Sequence, residues 1–249
     1  MKRISICDIP VDSHTMQETI GLINNAIVER RPIHHVVINA AKVVNAQKDS
    51  ELKESIVSCD IINADGQAIV WASRFLNRSL PERVAGIDIM ANLVKLAAEK
   101  KYRIFFLGAK EEVVKKVVEV YGEKYGQQII AGYRNGYFRK EEEQEVAKQI
   151  AGSGASILFV AMSSPKKEIF LNTYKELIKT PFIMGVGGSF DVVSGLVKRA
   201  PVWMQKTGLE WFYRVIQEPR RMWKRYLFGN SEFIYLVLKE KTKQIFRTK

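Results

Sequence analysis

The hydrophobic pattern of the first 195 residues alternates between short apolar runs and helical periodicities. Near-continuous apolar runs, typical of strands buried on both faces of a sheet, fall at 3–7, 34–38, 59–63, 102–108, 127–131, 155–162 and 181–186. Three- and four-residue apolar spacing predicts helices at 15–29, 67–75, 88–100, 110–125, 140–151 and 165–178, and a helical pair through Asp49. This order predicts an α/β fold, with a Rossmann-like, mostly parallel sheet and helices on both faces.

From about Lys198 the pattern changes to helices only. One apolar stripe ends at Pro219, a second follows it, and a third helix or a final strand begins at Ser231. The two stripes are Leu209, Phe212, Tyr213 and Ile216, then Met222, Trp223, Tyr226 and Leu227. We therefore divide the chain into an α/β domain, residues 1–195, and a C-terminal helical appendage, residues 196–249.

Most of the net charge of +12 lies in the appendage. Residues 198–249 hold 13 Lys/Arg against 4 Asp/Glu, which gives them +9 and leaves +3 for the rest of the chain. They also hold three of the four tryptophans and 10 of the 25 aromatic residues. Cations mixed with amphipathic rings suit an anionic membrane surface or a nucleic-acid backbone.

The start of the sequence, MKRISICDIP, lacks the apolar core of a signal peptide. No stretch reaches the roughly 18 uninterrupted apolar residues that span a bilayer, so we expect a cytoplasmic protein. Cys7 and Cys59 lie in predicted strands without metal-ligand spacing, which indicates buried reduced thiols.

Polar residues or glycines follow five of the predicted strands. They are Asn39, Asp65, Gly108, the pair Ser163 and Ser164, and the pair Gly187 and Gly188. Ligands of open parallel sheets bind beyond the carboxyl ends of the strands, where these residues converge. Each also has a simpler explanation, because Asn39 and Asp65 are good helix caps and glycine is common in tight turns.

Small residues at strand ends, taken together with the positive charge, favour an anionic ligand. Backbone N–H groups and helix dipoles attract phosphate at such ends, so we expect a nucleotide diphosphate. The chain has no DxD pair, and His34 and His35 point to opposite faces of one strand. We therefore expect no metal and no other cofactor, with cationic side chains neutralising a leaving diphosphate.

Eight segments, in order along the chain, resemble the motifs of the WecG/TagA/CpsF family of bacterial glycosyltransferases. They are NADG (63–66), ERVAGID (82–88), FFLGAK (105–110), AGYRNGYF (131–138), SSPKKE (163–168), GVGGSFDVVSG (185–195), RAP (199–201) and GLEWFYRVIQEPRRMWKRYL (208–227). The resemblance spans nearly the whole chain. Within the family, the chain is most similar to the N-acetylmannosaminyltransferases of wall teichoic acid synthesis.

The resemblance implies a metal-independent reaction with inversion. N-acetylmannosamine would move from its UDP donor to the 4-hydroxyl of the GlcNAc on undecaprenyl diphosphate, forming a β-1,4 linkage. Asp65 matches the aspartate proposed as the general base in this family. Inversion by a single displacement needs one base, on the acceptor's side of the sugar and opposite the leaving phosphate.

The resemblance also suggests substrate-binding roles. Arg83 would bind phosphate, with a surface ion pair to Glu82 as the alternative, and Asn39 would orient the donor sugar or Asp65. The residues that would line the nucleotide pocket are Gly108, Tyr137, Gly187, Gly188 and Asp191. A core tyrosine and a helix cap are the alternatives for Tyr137 and Asp191.

Two positions depart from the family pattern. Val37 stands where threonine is usual and has no hydrogen-bonding side chain, and Lys167 stands where glutamine is usual. Lys167 would pair with the donor diphosphate or with Asp65, and in the second case it would lower the carboxylate's basicity. An inactive family member is therefore an alternative.

The appendage would bring the enzyme to its lipid acceptor as a peripheral protein on the inner face of the cell membrane. Arg214, Arg221 and Lys224 fall near one side if the helix only bends at Pro219, and would close over the site and bind a diphosphate. The alternative is a solvated face that covers core rings. Rings exposed by a displaced appendage would promote self-association.

Two further functions stay open. One is a family member with another donor, UDP-N-acetylmannosaminuronic acid or UDP-glucose, since Lys167 suits a uronate. The other is a non-catalytic protein that binds nucleic acid or anionic membranes. The chain carries no RNP, zinc-finger or helix-turn-helix signature, so we do not expect nucleic acid as a partner.

Overall fold

The computed structural model describes residues 2–247, without the side chains of residues 221, 222, 224–226 and 247. Its strands are β1 (Arg3–Ile6), β2 (Ile9–Asp12), β3 (Ile33–Ile38), β4 (Ile61–Ala64), β5 (Ile104–Gly108), β6 (Ile130–Arg134), β7 (Ile157–Ala161) and β8 (Phe182–Gly185). The first two form an antiparallel hairpin, and the other six form a parallel sheet in the order β4-β3-β8-β7-β5-β6. The predicted α/β class is confirmed.

Helices cover both faces of the sheet. In the described residues they are α1 (Met16–Val28), α2 (Ala40–Lys48), α3 (Ser50–Val57), α4 (Gln67–Phe75), α5 (Gly86–Lys100), α6 (Glu111–Tyr125), α7 (Glu143–Gly152), α8 (Lys166–Ile178), α9 (Ser189–Val193), α10 (Val202–Lys206), α11 (Glu210–Gln217) and α12 (Pro219–Arg247). One core cluster joins α1, α5, α6 and α9 to the sheet around Phe106 and Met184. Two others join α2, α3 and α4, and α7 and α8, to the sheet. The buried strands therefore read as continuous apolar runs.

Local sequence signals set several element boundaries. Helix α1 begins after a capping box, in which Thr15 Oγ1 accepts from the N–H of Glu18 and Glu18 Oε2 accepts from the N–H of Thr15. Strand β6 begins later than predicted, because residues Gln127–Ile129 form a short 3-10 turn. Cys7 and Cys59 are buried and free, as predicted.

Strand β2 is absent from the sequence prediction. The β1–β2 turn places Cys7 and Asp8 at φ 49° and 60°, a left-handed conformation for which glycine is the usual signal. Asp12 at the end of β2 is 2% exposed and accepts from Arg3 Nε at 2.7 Å and from the N–H of Ile62 at 2.8 Å. These bonds fasten the hairpin to the edge of the sheet at β4.

The C-terminal segment differs in part from the prediction. Helix α11 ends at Gln217 and α12 begins at Pro219, with Glu218 between them at φ −132° and ψ 63°, so the two are not one bent helix. The helix or strand expected from Ser231 is wrong, because α12 continues unbroken to Arg247. Phe233 and Val237 of α12 are buried in the cluster around α2. None of the helices in residues 2–247 combines the length and apolar character needed to cross a bilayer.

Candidate active site

Asp65 lies at the carboxyl end of β4 and is partly buried. Its N–H donates to Ile38 O at 2.9 Å, and its Oδ1 accepts from the N–H of Gly86 at 3.2 Å. Gly86 begins α5, so the carboxylate faces a helix N-terminus, where the dipole favours negative charge. The cap residue of the following helix, α4, is Gly66, and it makes no side-chain cap bond. The interpretation of Asp65 as the cap of that helix is therefore wrong.

Asn39 follows β3, the neighbour of β4, and does cap a helix. Its Oδ1 accepts from the N–H of Lys42 at 3.0 Å at the start of α2. A Cβ on Gly66 would lie 3.4 Å from the Cβ of Asn39, so the two strand ends pack closely. Asn39 thus lies beside Asp65, while its role in orienting the donor sugar stays a prediction.

Arg83 approaches the same rim from the loop before α5. Its Nη1 donates to Glu210 Oε2 of α11 at 2.8 Å, and both side chains are about 15% exposed (15% and 16%). Glu82, the alternative partner, instead accepts from the N–H of Met16. The surface pair between Arg83 and Glu82 is therefore wrong, and Arg83 joins the appendage to the α/β domain.

Two more arginines complete the charged cluster. Arg199, from the RAP segment, donates through Nη1 and Nη2 to the two carboxylate oxygens of Asp88 at 2.6 and 2.8 Å. Its Nε lies 3.9 Å from Glu210 Oε1, and Arg214 Nη2 lies 3.9 Å from the same oxygen. Three guanidinium groups and three carboxylates therefore meet where α11 covers the sheet rim.

The surroundings of Asp65 raise the pKa of its carboxyl group. Burial raises the pKa of Asp65, and the nearby Glu210 carboxylate raises it further. Arg83, Arg214 and the Gly86 N–H oppose this, but the pKa stays above its ordinary value. A carboxylate of raised pKa is a better proton acceptor than an exposed aspartate, as a general base requires.

The two positions that depart from the family pattern lie beneath this rim. Val37 is 8% exposed and packs against Gly86, where a Cβ would lie 3.3 Å from Val37 Cγ2. Lys167 Nζ lies 2.8 Å from Glu168 Oε1, and Lys42 Nζ lies 2.8 Å from the same oxygen. The structure thus pairs Lys167 with Glu168, and the pairing of Lys167 with the donor diphosphate or with Asp65 stays a prediction.

This buried triad, Lys42, Glu168 and Lys167, ties two strand ends together. Lys42 Nζ also donates to Val37 O at 2.8 Å, and the stem of Lys167 runs along Gly185 of β8. Burial disfavours the Glu168 anion, but the two ammonium groups outweigh it and lower the pKa of Glu168 to about 2.

The proposed nucleotide pocket occupies the other strand ends. Gly108, at φ 123°, ends β5, where a Cβ would lie 2.4 Å from Ala161 O, so no side chain fits. Gly187, at φ 53°, and the exposed Gly188 precede α9, and Asp191 lies in its first turn. Tyr137 is 75% exposed, so the core interpretation of it is wrong. Nucleotide binding by these residues stays a prediction.

The appendage is seated beside Asp65 by Gly208. This buried glycine, at φ 77°, precedes α11, and a Cβ there would lie 2.7 Å from Gln67 Cγ and 3.2 Å from Trp71 Cζ2. The close approach to α4 brings Glu210 and Arg214 to the rim. The predicted roles of Arg221 and Lys224 concern side chains outside the described part of the chain.

Comparison with known proteins identifies the family. The model of the glycosyl transferase WecG/TagA/CpsF family matches residues 4–247. The chain belongs to this family. A relative from Bacillus subtilis (strain 168) is 37% identical over 251 residues, which cover 100% of this chain and 96% of the relative. One from Bacillus spizizenii (strain ATCC 23059 / NRRL B-14472 / W23) is 37% identical over 194 residues, 78% of this chain and 74% of the relative. Both are named N-acetylglucosaminyldiphosphoundecaprenol N-acetyl-beta-D-mannosaminyltransferase.

Several charged residues of this glycosyltransferase escaped the sequence prediction. They are Asp88, Arg199 and Glu210 in the charged cluster, and Lys42 and Glu168 in the buried triad. All but Lys42 lie inside the segments that resemble the family motifs, so motif membership was an available signal. Lys42 had none, because its ammonium group reaches the triad only through the fold.

Proposed function

We propose that the protein transfers N-acetylmannosamine from UDP-N-acetylmannosamine to the 4-hydroxyl of GlcNAc on undecaprenyl diphosphate, with inversion, in wall teichoic acid linkage-unit synthesis. The proposal is supported by the names of two relatives at 37% identity. The structural observation that carries it is Asp65, a carboxylate of raised pKa at a strand end, next to Arg83 and Arg214.

In the proposed reaction Asp65 takes the proton of the acceptor hydroxyl. Its Oδ1 is held by the N–H of Gly86, so Oδ2 is the oxygen that receives the proton. The acceptor oxygen forms a bond to the anomeric carbon while the bond from that carbon to the phosphate oxygen breaks, and its electron pair leaves with UDP. Attack opposite the leaving phosphate gives inversion.

Arginine side chains would neutralise the charge that develops on UDP, and we propose that no metal or other cofactor takes part. Arg83 and Arg214 both act electrostatically on Asp65, and a guanidinium group binds phosphate oxygens in pairs. The strand ends at Gly108 and Gly187 would hold the nucleotide. Electrostatic stabilisation then acts on the leaving group, while Asp65 acts on the nucleophile.

The lipid acceptor requires the enzyme to reach the membrane, and we propose that residues 196–249 rest on its inner face and complete the active site above residues 1–195. Of the 20 exposed large hydrophobic side chains in the described residues, 14 lie at position 196 or beyond. Trp203, Trp211 and Phe212 are among them. Exposed rings beside a net charge of +9 are suited to an anionic headgroup layer.

The structure gives little support for a different sugar donor. A uronate donor needs an additional cation near the sugar, and Lys167 was the candidate. Lys167 shares the single Glu168 carboxylate with Lys42, and both relatives are named for transfer of N-acetylmannosamine. We therefore keep UDP-N-acetylmannosamine as the donor.

The test is sugar transfer to a short-chain GlcNAc diphosphate lipid, with the three UDP donors compared and the product's linkage determined by NMR. We expect turnover with UDP-N-acetylmannosamine and a β-linked product. Asp65→Asn should lower kcat by roughly 100-fold or more, because the base is lost. Asp49→Asn is the matched control, since Asp49 caps α3 and asparagine caps equally well. An Asp65→Asn variant with the parent's rate would refute the assignment of the base.

A further inference from the structure

Glu210 is a carboxylate that the proposed mechanism leaves without a role. It is the first residue of α11 and the acceptor of the hydrogen bond from Arg83, 127 positions away in sequence. Of the two arginines the mechanism uses, one bonds to Glu210 and the other, Arg214, lies one helical turn beyond it. A negative charge in this place competes with phosphate for the same cations, so its presence calls for an explanation.

We propose that Glu210 is a positioning residue of the transfer reaction, one that seats α11 on Arg83 and holds Arg83 and Arg214 beside Asp65. The inference rests on the proposed function and adds a residue to it. Glu210 acts through the arginines and need not touch the substrate.

The geometry favours a positioning role over a surface ion pair. Both partners of the Arg83–Glu210 contact are about 85% buried, so solvent screens it less than an exposed pair. Glu210 Oε2 takes the bond from Arg83, while Oε1 faces Arg199 and Arg214 at 3.9 Å. One carboxylate thus meets a guanidinium from the loop before α5, another from the loop before α10, and a third from its own helix.

Asp88 cannot substitute for Glu210 in this arrangement, because both its carboxylate oxygens are bonded to Arg199. Arg83 and Arg214 therefore depend on Glu210 for their position. Without it, their like charges would repel each other and the helix that carries Arg214 would lose its bond to the α/β domain.

Removal of the Glu210 charge also changes the pKa of Asp65, the proposed base. The groups that act on Asp65 are the Gly86 N–H of α5, Arg83, Arg199, and Glu210 and Arg214 of α11. Glu210 raises the pKa of Asp65, so a neutral side chain there leaves the arginines less opposed and the pKa falls. A base of lower pKa is ionised at lower pH but accepts a proton less well.

The experiment compares Glu210→Gln, Glu210→Asp and Glu232→Gln in the full-length protein. Glu232 is the matched control, because it lies in the same C-terminal segment and its pair with Lys48 of α2 is exposed. We expect Glu210→Gln to lower kcat by about tenfold or more. Its acid limb in the pH–rate profile should move to lower pH, and Glu210→Asp, which keeps the charge, should retain the parent's limb. Glu232→Gln should match the parent in both.

Two additional measurements separate this inference from the proposed function. In a double-mutant cycle, Glu210→Gln and Arg83→Gln should be strongly non-additive, because the first acts through the second. Hydrogen exchange of residues 209–217 should be faster in Glu210→Gln than in Glu232→Gln, whether or not sugar is transferred. An inactive parent would defeat the proposed function alone. An active parent whose Glu210→Gln variant keeps its rate, acid limb and hydrogen exchange would overturn the inference.

Discussion

The buried triad of Lys42, Glu168 and Lys167 makes a quantitative prediction. Glu168→Gln keeps the size of the side chain but removes the charge that compensates two ammonium groups, whose side chains are 8% and 7% exposed. Both ammonium groups lie 2.8 Å from Glu168 Oε1, so the carboxylate acts on them as a close counter-charge. We expect the variant to be markedly less stable than the parent.

The magnitude follows from the pKa. The Glu168 pKa is about 2 against an ordinary 4.5. Each pKa unit corresponds to about 1.4 kcal/mol, so the carboxylate contributes about 3 kcal/mol to the free energy of unfolding at neutral pH. The loss expected when one partner of a buried ion pair is removed, about 3–5 kcal/mol, is of the same order. The exposed pair of Lys48 and Glu232 should contribute below about 1 kcal/mol.

The same pKa fixes the pH dependence. Because the folded pKa lies below the unfolded one, the contribution is complete above about pH 4.5 and is lost as the pH falls towards 2. Between pH 6.5 and pH 3.5 it should decrease by about 1 kcal/mol. Urea unfolding of parent and Glu168→Gln at both pH values measures this change as a difference, so the other carboxylates cancel.

Glu232→Gln, measured in parallel, is the control for loss of an exposed carboxylate. A Glu168→Gln protein within about 1 kcal/mol of the parent at pH 6.5 would contradict the reasoning. So would a difference between the two proteins that stays constant with pH. Either result would mean that the Glu168 charge is compensated differently from the geometry described above.

Three further predictions concern the active site and the appendage. Gly208→Ala should loosen α11 and lower the transfer rate. A left-handed φ costs about 1–2 kcal/mol for alanine, and the added Cβ would overlap Gln67. Limited proteolysis of the segment and the transfer rate measure the two effects. The acid limb of the parent's pH–rate profile should lie above the ordinary aspartate pKa, because burial raises the pKa of Asp65, and it should be absent from any residual rate of Asp65→Asn. A chain that ends at Gly195 should lose turnover and self-associate, because two core side chains of α12 are removed from the α2 cluster. Light scattering measures the association, and a truncated protein that is monomeric and active would contradict the prediction.

Much of the α/β domain is readable from the sequence because its signals are local. Helix α4 begins and ends where its apolar spacing predicts, at Gln67 and Phe75. Five strands of the parallel sheet are buried along their whole length, and they read as apolar runs because helices cover both faces of the sheet. They are β3, β4, β5, β7 and β8. Asp65 stood out because a charged residue after such a strand, next to glycine, breaks the pattern.

The features that were missed depend on distant parts of the chain. The β1–β2 turn has Cys7 and Asp8 at positive φ, without the glycine or asparagine that usually signals it. Arg83 pairs with Glu210 and not with its sequence neighbour Glu82. Hydrophobic periodicity carries no information about a contact between residues 127 positions apart. The boundary predicted at Pro219 is confirmed, but a proline at the first position of a helix is tolerated, and α12 continues from it without interruption.

The second half of α12 is fixed to the α/β domain, and this determines how strongly α11 is kept at the sheet rim. Phe233 and Val237 are buried, and Glu240 accepts from the N–H of Cys7 at 2.6 Å. The stretch that carries Glu210 is therefore tied to the α/β domain on its C-terminal side, so its contact with the rim is intramolecular and is made at high effective concentration.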